Sequence, residues 1–374
     1  MKFLKLKLFI LFCFLFACHK NTPTESEPEY INHTNEYSEN IVVSTPEPFE
    51  LFNIAISLTE YGLQNNGYVN KNSAYYEAVK STFQSFQSHP FVLLMQQFCE
   101  QDWGNGNDII ANFNNMKIAS LYLRLQEDTL TVNQDLFNYI PEVMQFAIEQ
   151  ILVQANLFLN ESNFTQFYQY NSNVYQDIAN KFQAAIPAQA VRNWLEIHFP
   201  SIQFQYYNIP LSPLTGGSHC FELDKVTGET IYMIVSGPTE YIDDLVDEGI
   251  YTLYLFTEID HNYVNPISDI HMNDIDEAFS DIDEWNHDIY YRTPYDTFNE
   301  YMTWAVFTLF AYDRYEESQF QEINTNTVDN MVNNRKFIKF NEFNEELLRL
   351  YKNNETYTSI EELFVPTLDW VMSQ

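Results

Sequence analysis

Glycine is scarce in this chain and large aromatics are abundant: 9 Gly stand against 31 Phe and 26 Tyr in 374 residues. A β sandwich rich in tight turns needs glycine for its left-handed positions, so a chain this poor in it is directed towards helices. Phe and Tyr bring large apolar areas to the packing between those helices. With 45% hydrophobic residues, the chain can build a sizeable core, as one large domain or two modest ones. The expected fold class is α+β, mostly helical. The formal net charge of -34 makes a surface that repels phosphate backbones, which excludes nucleic acid as a partner. It also opposes adsorption to anionic headgroups, and solubility is its plain use.

Lys2, Lys5 and Lys7 precede an apolar run from Leu8 to Phe16. That run is too short to cross a bilayer as a stable helix, so residues 1–17 read as a signal peptide. The run ends in Leu15-Phe16-Ala17-Cys18, which resembles the lipobox of bacterial lipoproteins. The resemblance implies cleavage before Cys18, a diacylglycerol on its thiol and a membrane anchor of two or three acyl chains on that residue. His19, in place of an Asp, directs the expected anchor to the outer membrane. Residues 18–46, rich in Asn, Thr, Ser, Glu and Pro, read as a flexible tether. Of the remaining cysteines, Cys99 and Cys220 would be free to pair in an exported compartment, and two unpaired buried thiols fit equally well.

Residues 47–200 carry helical periodicity. Leu51, Ala55 and Leu58 form one stripe closed by Gly62, and Tyr76, Val79, Phe83 and Phe86 form another that His89-Pro90 ends. Pro141 is expected to open a third helix with Val143, Phe146, Ala147, Ile151 and Leu152 on its apolar side. Phe164, Phe167, Tyr168, Val174 and Tyr175 continue the pattern, and Trp194-Leu195 belong to a last helix before Pro200. Core packing accounts for these aromatics. The character changes in residues 201–374: Phe204 to Leu211, His219 to Leu223 and Ile231 to Val235 read as strands, with Gly216-Gly217 marking a turn. Gly237-Pro238 stops the strand run, and a long helix is expected to follow to about Tyr263.

That helix holds Thr257-Glu258-Ile259-Asp260-His261. A zincin helix carries His-Glu-x-x-His, because histidines at i and i+4 sit one turn apart and both reach one Zn²⁺. The Glu after the first His acts on the metal-bound water as general base. Here Glu258 and His261 hold the second and fifth positions, and Thr257 stands where the first His would be. A neutral hydroxyl is a poor zinc ligand. By itself Glu-x-x-His reads as a charge pair on a helix face.

From about Phe49 the chain resembles a family of secreted bacterial proteins, the domain-of-unknown-function 4932 family, whose members look like gluzincin-type metallopeptidases. The family signature is approximately His-Glu-Phe-x-His-x-x-x-Asn-Pro. Residues 257–266, Thr-Glu-Ile-Asp-His-Asn-Tyr-Val-Asn-Pro, match it well except at the first position. Phe83-x-x-Phe86-x-x-His89-Pro90, Phe167-Tyr168 with Tyr175, and Leu211-Ser212-Pro213-Leu214 also resemble family segments. The resemblance implies a zincin-like fold, with a helical N-terminal half and a small sheet ahead of the active helix. It implies Glu300 as third metal ligand on a later helix, and Trp304 stands where many members carry Arg.

The implied cofactor is Zn²⁺, with His261 and Glu300 as ligands and one ligand missing at Thr257. His219, His271 and His287 are the nearest substitutes in sequence. The expected function is an exported lipoprotein with a degenerate, catalytically impaired metallopeptidase domain that binds a peptide or protein. The alternatives are a working zinc metallopeptidase with a rearranged ligand set and a cell-surface glycan- or protein-binding module.

Overall fold

The computed structural model describes residues 37–64, 69–100, 109–137, 142–216, 219–223, 230–234, 241–242, 244–353 and 356–374. Residues 1–36, which hold the expected leader, Cys18 and most of the expected tether, lie outside the described residues, as do Pro141, Gly217 and Gly237-Pro238. Part of the stretch read as tether is ordered. Ile41–Ser44 is strand β1, because its Ile-Val-Val run suits a pleated, half-buried surface. Tyr37 donates to the Ile186 carbonyl at 2.6 Å just before it.

Helices dominate, as expected, and strands are few. Leu123–Gln126 (β2) and Thr129–Val132 (β3) form an antiparallel hairpin inside the region read as helical. Glu127 and Asp128 turn it with φ of 47° and 59°, a two-residue mirror-image turn in which Asn-Gly would have been the usual signal. Tyr206–Pro210 (β4), His219–Leu223 (β5) and Thr230–Ile234 (β6) join β1 in one sheet of order β1-β4-β6-β5. β1 and β6 run parallel to β4, and β5 pairs antiparallel on the edge of β6.

The apolar interior falls into two clusters. One gathers residues from Phe49 to Tyr175 with Leu214; the other takes Ile41 and residues from Phe182 to Val371. The boundary therefore runs within the helix Ser172–Ala185. In the first cluster the helix Glu142–Glu161 faces inward through Ile148, Ile151, Ala155 and Phe158, whereas Phe146 is 61% exposed and lies off that stripe. Cys99 is a free, buried thiol.

Gly62 does not cap the first helix, Glu47–Leu58, which ends at Thr59. It lies in the short helix Glu60–Gln64, where a Cβ would stand 2.1 Å from the Ile56 carbonyl oxygen. Only glycine lets the two backbones meet. Gly62→Ala is expected to cost about 2–3 kcal/mol, since backbone rather than a side-chain tip must move. Urea unfolding measures this, and an unchanged midpoint would show that the segment gives way freely.

Two long helices make the centre of the second cluster. Leu245–Ile270 starts at Asp244, whose carboxylate accepts from the Val246 and Asp247 amides. It runs through Asn265-Pro266, past the stop expected near Tyr263, because buried Ile267 and Ser268 anchor the turn beyond the proline. Pro294–Arg314 starts at Thr293, with Pro294 in its first turn. The two pack antiparallel: Glu248 meets Arg314 at 2.7 Å near one end, and Ser268 donates to Asn299 at 2.5 Å towards the other. Tyr263 on the first of these helices meets the Tyr207 hydroxyl of β4, fixing the helix on the sheet.

Candidate functional site

One cleft of about 670 Å³ opens between these two helices. Thr257, Glu258 and His261 reach it from Leu245–Ile270, and Glu300 and Trp304 from Pro294–Arg314. Thr257, Glu258, His261 and Glu300, the four residues singled out in the sequence, thus line one cavity. The His261 Nε2 and Glu300 Oε1 atoms are 3.6 Å apart. Residues 257, 258 and 261 share the cleft because three- and four-residue spacings lie on one helix face. Glu300 faces them because the two helices run antiparallel with 248 opposite 314.

The Thr257 side chain is engaged elsewhere. Its hydroxyl donates to the Leu253 carbonyl one turn back, at 3.0 Å. His271 lies 3.6 Å from Asp274 and stacks on Phe364, and His287 contacts the Asp283 carbonyl at 2.9 Å. Neither lines the cleft. Among the described residues, no group of three His, Cys, Asp or Glu is placed to hold a metal ion. The side chain of His219 lies outside the described residues.

The cleft's strongest charge contact involves a residue that the sequence does not flag. Arg335 Nη2 lies 2.6 Å from Glu300 Oε2. Its guanidinium carbon sits 4.8 Å from the Trp304 ring centre, 5.1 Å from that of Tyr291 and 5.4 Å from that of Phe337. A π-helical turn, Asn330–Asn334, brings Arg335 there, closed by its amide bonding to the Asn330 carbonyl at 2.9 Å. Lys336 then takes φ of 68°, turning the chain so that Phe337 can pack. A faint signal was available: the chain has only 18 Lys and Arg, so each fixed cation in an acidic protein merits a search for its partner.

Asp260 points away from the cleft into the core and is fully buried. Neither carboxyl oxygen has a hydrogen-bond partner among the described residues. Burial holds this carboxyl well above the usual carboxylate range, and the charges of Glu300 and Glu258 push the same way. Asp260 is therefore packed beneath the Glu-x-x-His segment with its proton held more tightly than in water.

This donor set does not fit a zinc centre. Catalytic zinc needs three protein ligands and an open fourth position. At the three expected ligand positions the cleft presents one imidazole, a carboxylate ion-paired to Arg335 and a hydroxyl bonded to its own helix, and the other cleft carboxylates, Glu258 and Asp296, complete no group of three with them among the described residues. The remaining walls suit recognition. Asn262, Asn265 and Asn299 line the cleft, as do Tyr291 and Tyr295, and the Asn265 Oδ1 atom has no partner among the described residues.

A family model described as Domain of unknown function (DUF4932) matches residues 41–369. No curated protein and no solved structure matches the chain.

Proposed function

The chain belongs to the DUF4932 family, and on that premise we propose that it is an exported lipoprotein whose degenerate, zincin-like metallopeptidase cleft holds a peptide or protein segment without hydrolysing it. The observation that carries this reading is the meeting of Thr257, Glu258, His261 and Glu300 in one cleft, with His261 and Glu300 3.6 Å apart. A chance Glu-x-x-His on a helix face gives no reason for a glutamate far along the chain to meet that histidine. Bound Zn²⁺ would lower the pKa of its water to about 7. Without a third ligand that chemistry is lost, and what remains is a shaped site.

In this reading the carboxamides of Asn265 and Asn299 meet peptide amides, and Tyr291 and Tyr295 wall the segment. The leader supports the rest of the proposal: lipid on Cys18 holds the domain at the envelope, with the outer membrane as its expected location.

The test is a peptide-library selection on the full chain in detergent, with cleavage followed in parallel. Enriched peptides recovered intact are expected. Asn265→Ala should weaken them by roughly tenfold, the loss of one hydrogen-bonding partner at about 1.4 kcal/mol. Cleavage abolished by both a chelator and Glu258→Gln would instead establish a working peptidase. Glycan-array hits with no peptide enrichment would establish a sugar-binding module.

A further inference from the structure

We infer that Arg335 is the resident cation of this cleft, holding Glu300 where a divalent metal would need that carboxylate, so that two separate features, the hydroxyl at Thr257 and the guanidinium of Arg335, shut metal out. The inference rests on the degenerate-metallopeptidase reading and adds a second lock to it.

The argument begins with burial. The Glu300 side chain is only 6% exposed, and a carboxylate so far from water needs a counter-charge. In a metal centre the ion supplies it. Here Arg335 supplies it at 2.6 Å from Oε2, while Oε1 faces His261 at 3.6 Å. The separation of His261 from Glu300 would suit two ligands of one zinc ion, each about 2.0–2.2 Å from the metal. Spacing is therefore not what excludes the ion. An ion bridging those two atoms would share a single buried carboxylate with a fixed guanidinium, and would meet its repulsion at close range.

Arg335 is also poorly placed to withdraw. Trp304, Tyr291 and Phe337 rings lie within 5.4 Å of its guanidinium carbon. The π-helical turn before it and the left-handed Lys336 after it fix its backbone. The rings favour a flat, delocalised cation over a compact hydrated one. It follows that restoring the missing histidine is not enough to restore the metal.

The test is zinc content by plasma mass spectrometry on the full chain in detergent, with cobalt(II) absorption as a second readout of ligand geometry. The proteins are the unaltered chain, Thr257→His, and Thr257→His combined with Arg335→Met or with Arg335→Gln; the glutamine keeps an N–H donor for Glu300 in case the methionine impairs folding. Expected are empty sites in the unaltered chain and in Thr257→His, and about one zinc per chain with a tetrahedral cobalt spectrum in at least one combined variant. Stoichiometric zinc in Thr257→His alone would overturn the inference and leave the degenerate reading standing. So would an empty site in both combined variants that retain the far-ultraviolet circular dichroism of the unaltered chain. Stoichiometric zinc in the unaltered chain would fell the degenerate reading itself, a distinct result.

Discussion

Glu50→Gln is expected to stabilise the protein by about 3 kcal/mol at pH 8 and by less than about 1 kcal/mol at pH 5. Glu50 is fully buried on the first helix. Burial raises its carboxyl from 4.5 to about 7, against the opposing hydrogen bonds from Ser212 and Tyr75. The Tyr75 hydroxyl donates to Oε1 at 2.7 Å and meets the Tyr175 hydroxyl at 2.8 Å, while Oε2 has no partner among the described residues. A carboxyl whose folded pKa is raised binds its proton more tightly folded than unfolded. Its contribution is complete below pH 4.5 and is lost as pH rises through about 7. Glutamine keeps an acceptor for Tyr75 and cannot ionise, so its advantage must grow across that window. Urea unfolding of both proteins at each pH gives the difference, in which the titration of the other acidic groups cancels. A gain that is equal at the two pH values would show that burial does not raise the Glu50 carboxyl above its unfolded value.

The sequence disclosed those features that depend on near neighbours. The stripe Tyr76, Val79, Phe83 lies on the helix Ala74–Phe83, whose end falls short of His89-Pro90, and the three strands after residue 200 lie where β-branched and aromatic residues cluster. The meeting of Glu300 with His261 was visible only through the family pattern, since no local period relates residues on two different helices. Arg335 had no such pattern behind it. It arrives from a π-helical turn, whose five-residue spacing escapes a search for helix or strand periods. The hairpin at Glu127-Asp128 was hidden because its turn uses two acidic residues at positive φ. The end of the long helix, expected near Tyr263, lies further on: buried Ile267 and Ser268 carry it past Pro266 to Ile270. In each case contacts from distant parts of the chain overrode a local preference.

Arg335→Met is expected to destabilise the protein by about 3–5 kcal/mol, the usual cost of removing one partner from a buried ion pair. The reason lies in what is left behind. Glu300 keeps its place on Pro294–Arg314, with Thr303 and Trp304 buried beside it, and water has little access to its carboxylate. Replacing both partners removes the uncompensated charge, so Glu300→Gln in the Arg335→Met background should recover most of the loss. Glu300→Gln alone should cost less than Arg335→Met, because a guanidinium 22% exposed and stacked on rings keeps some hydration and its cation–π contacts. The double-mutant cycle therefore predicts strong coupling and a marked asymmetry between the two single variants. Losses that simply add would mean that Glu300 is neutralised by some other group, and the cation that fills this cleft would have to be sought elsewhere.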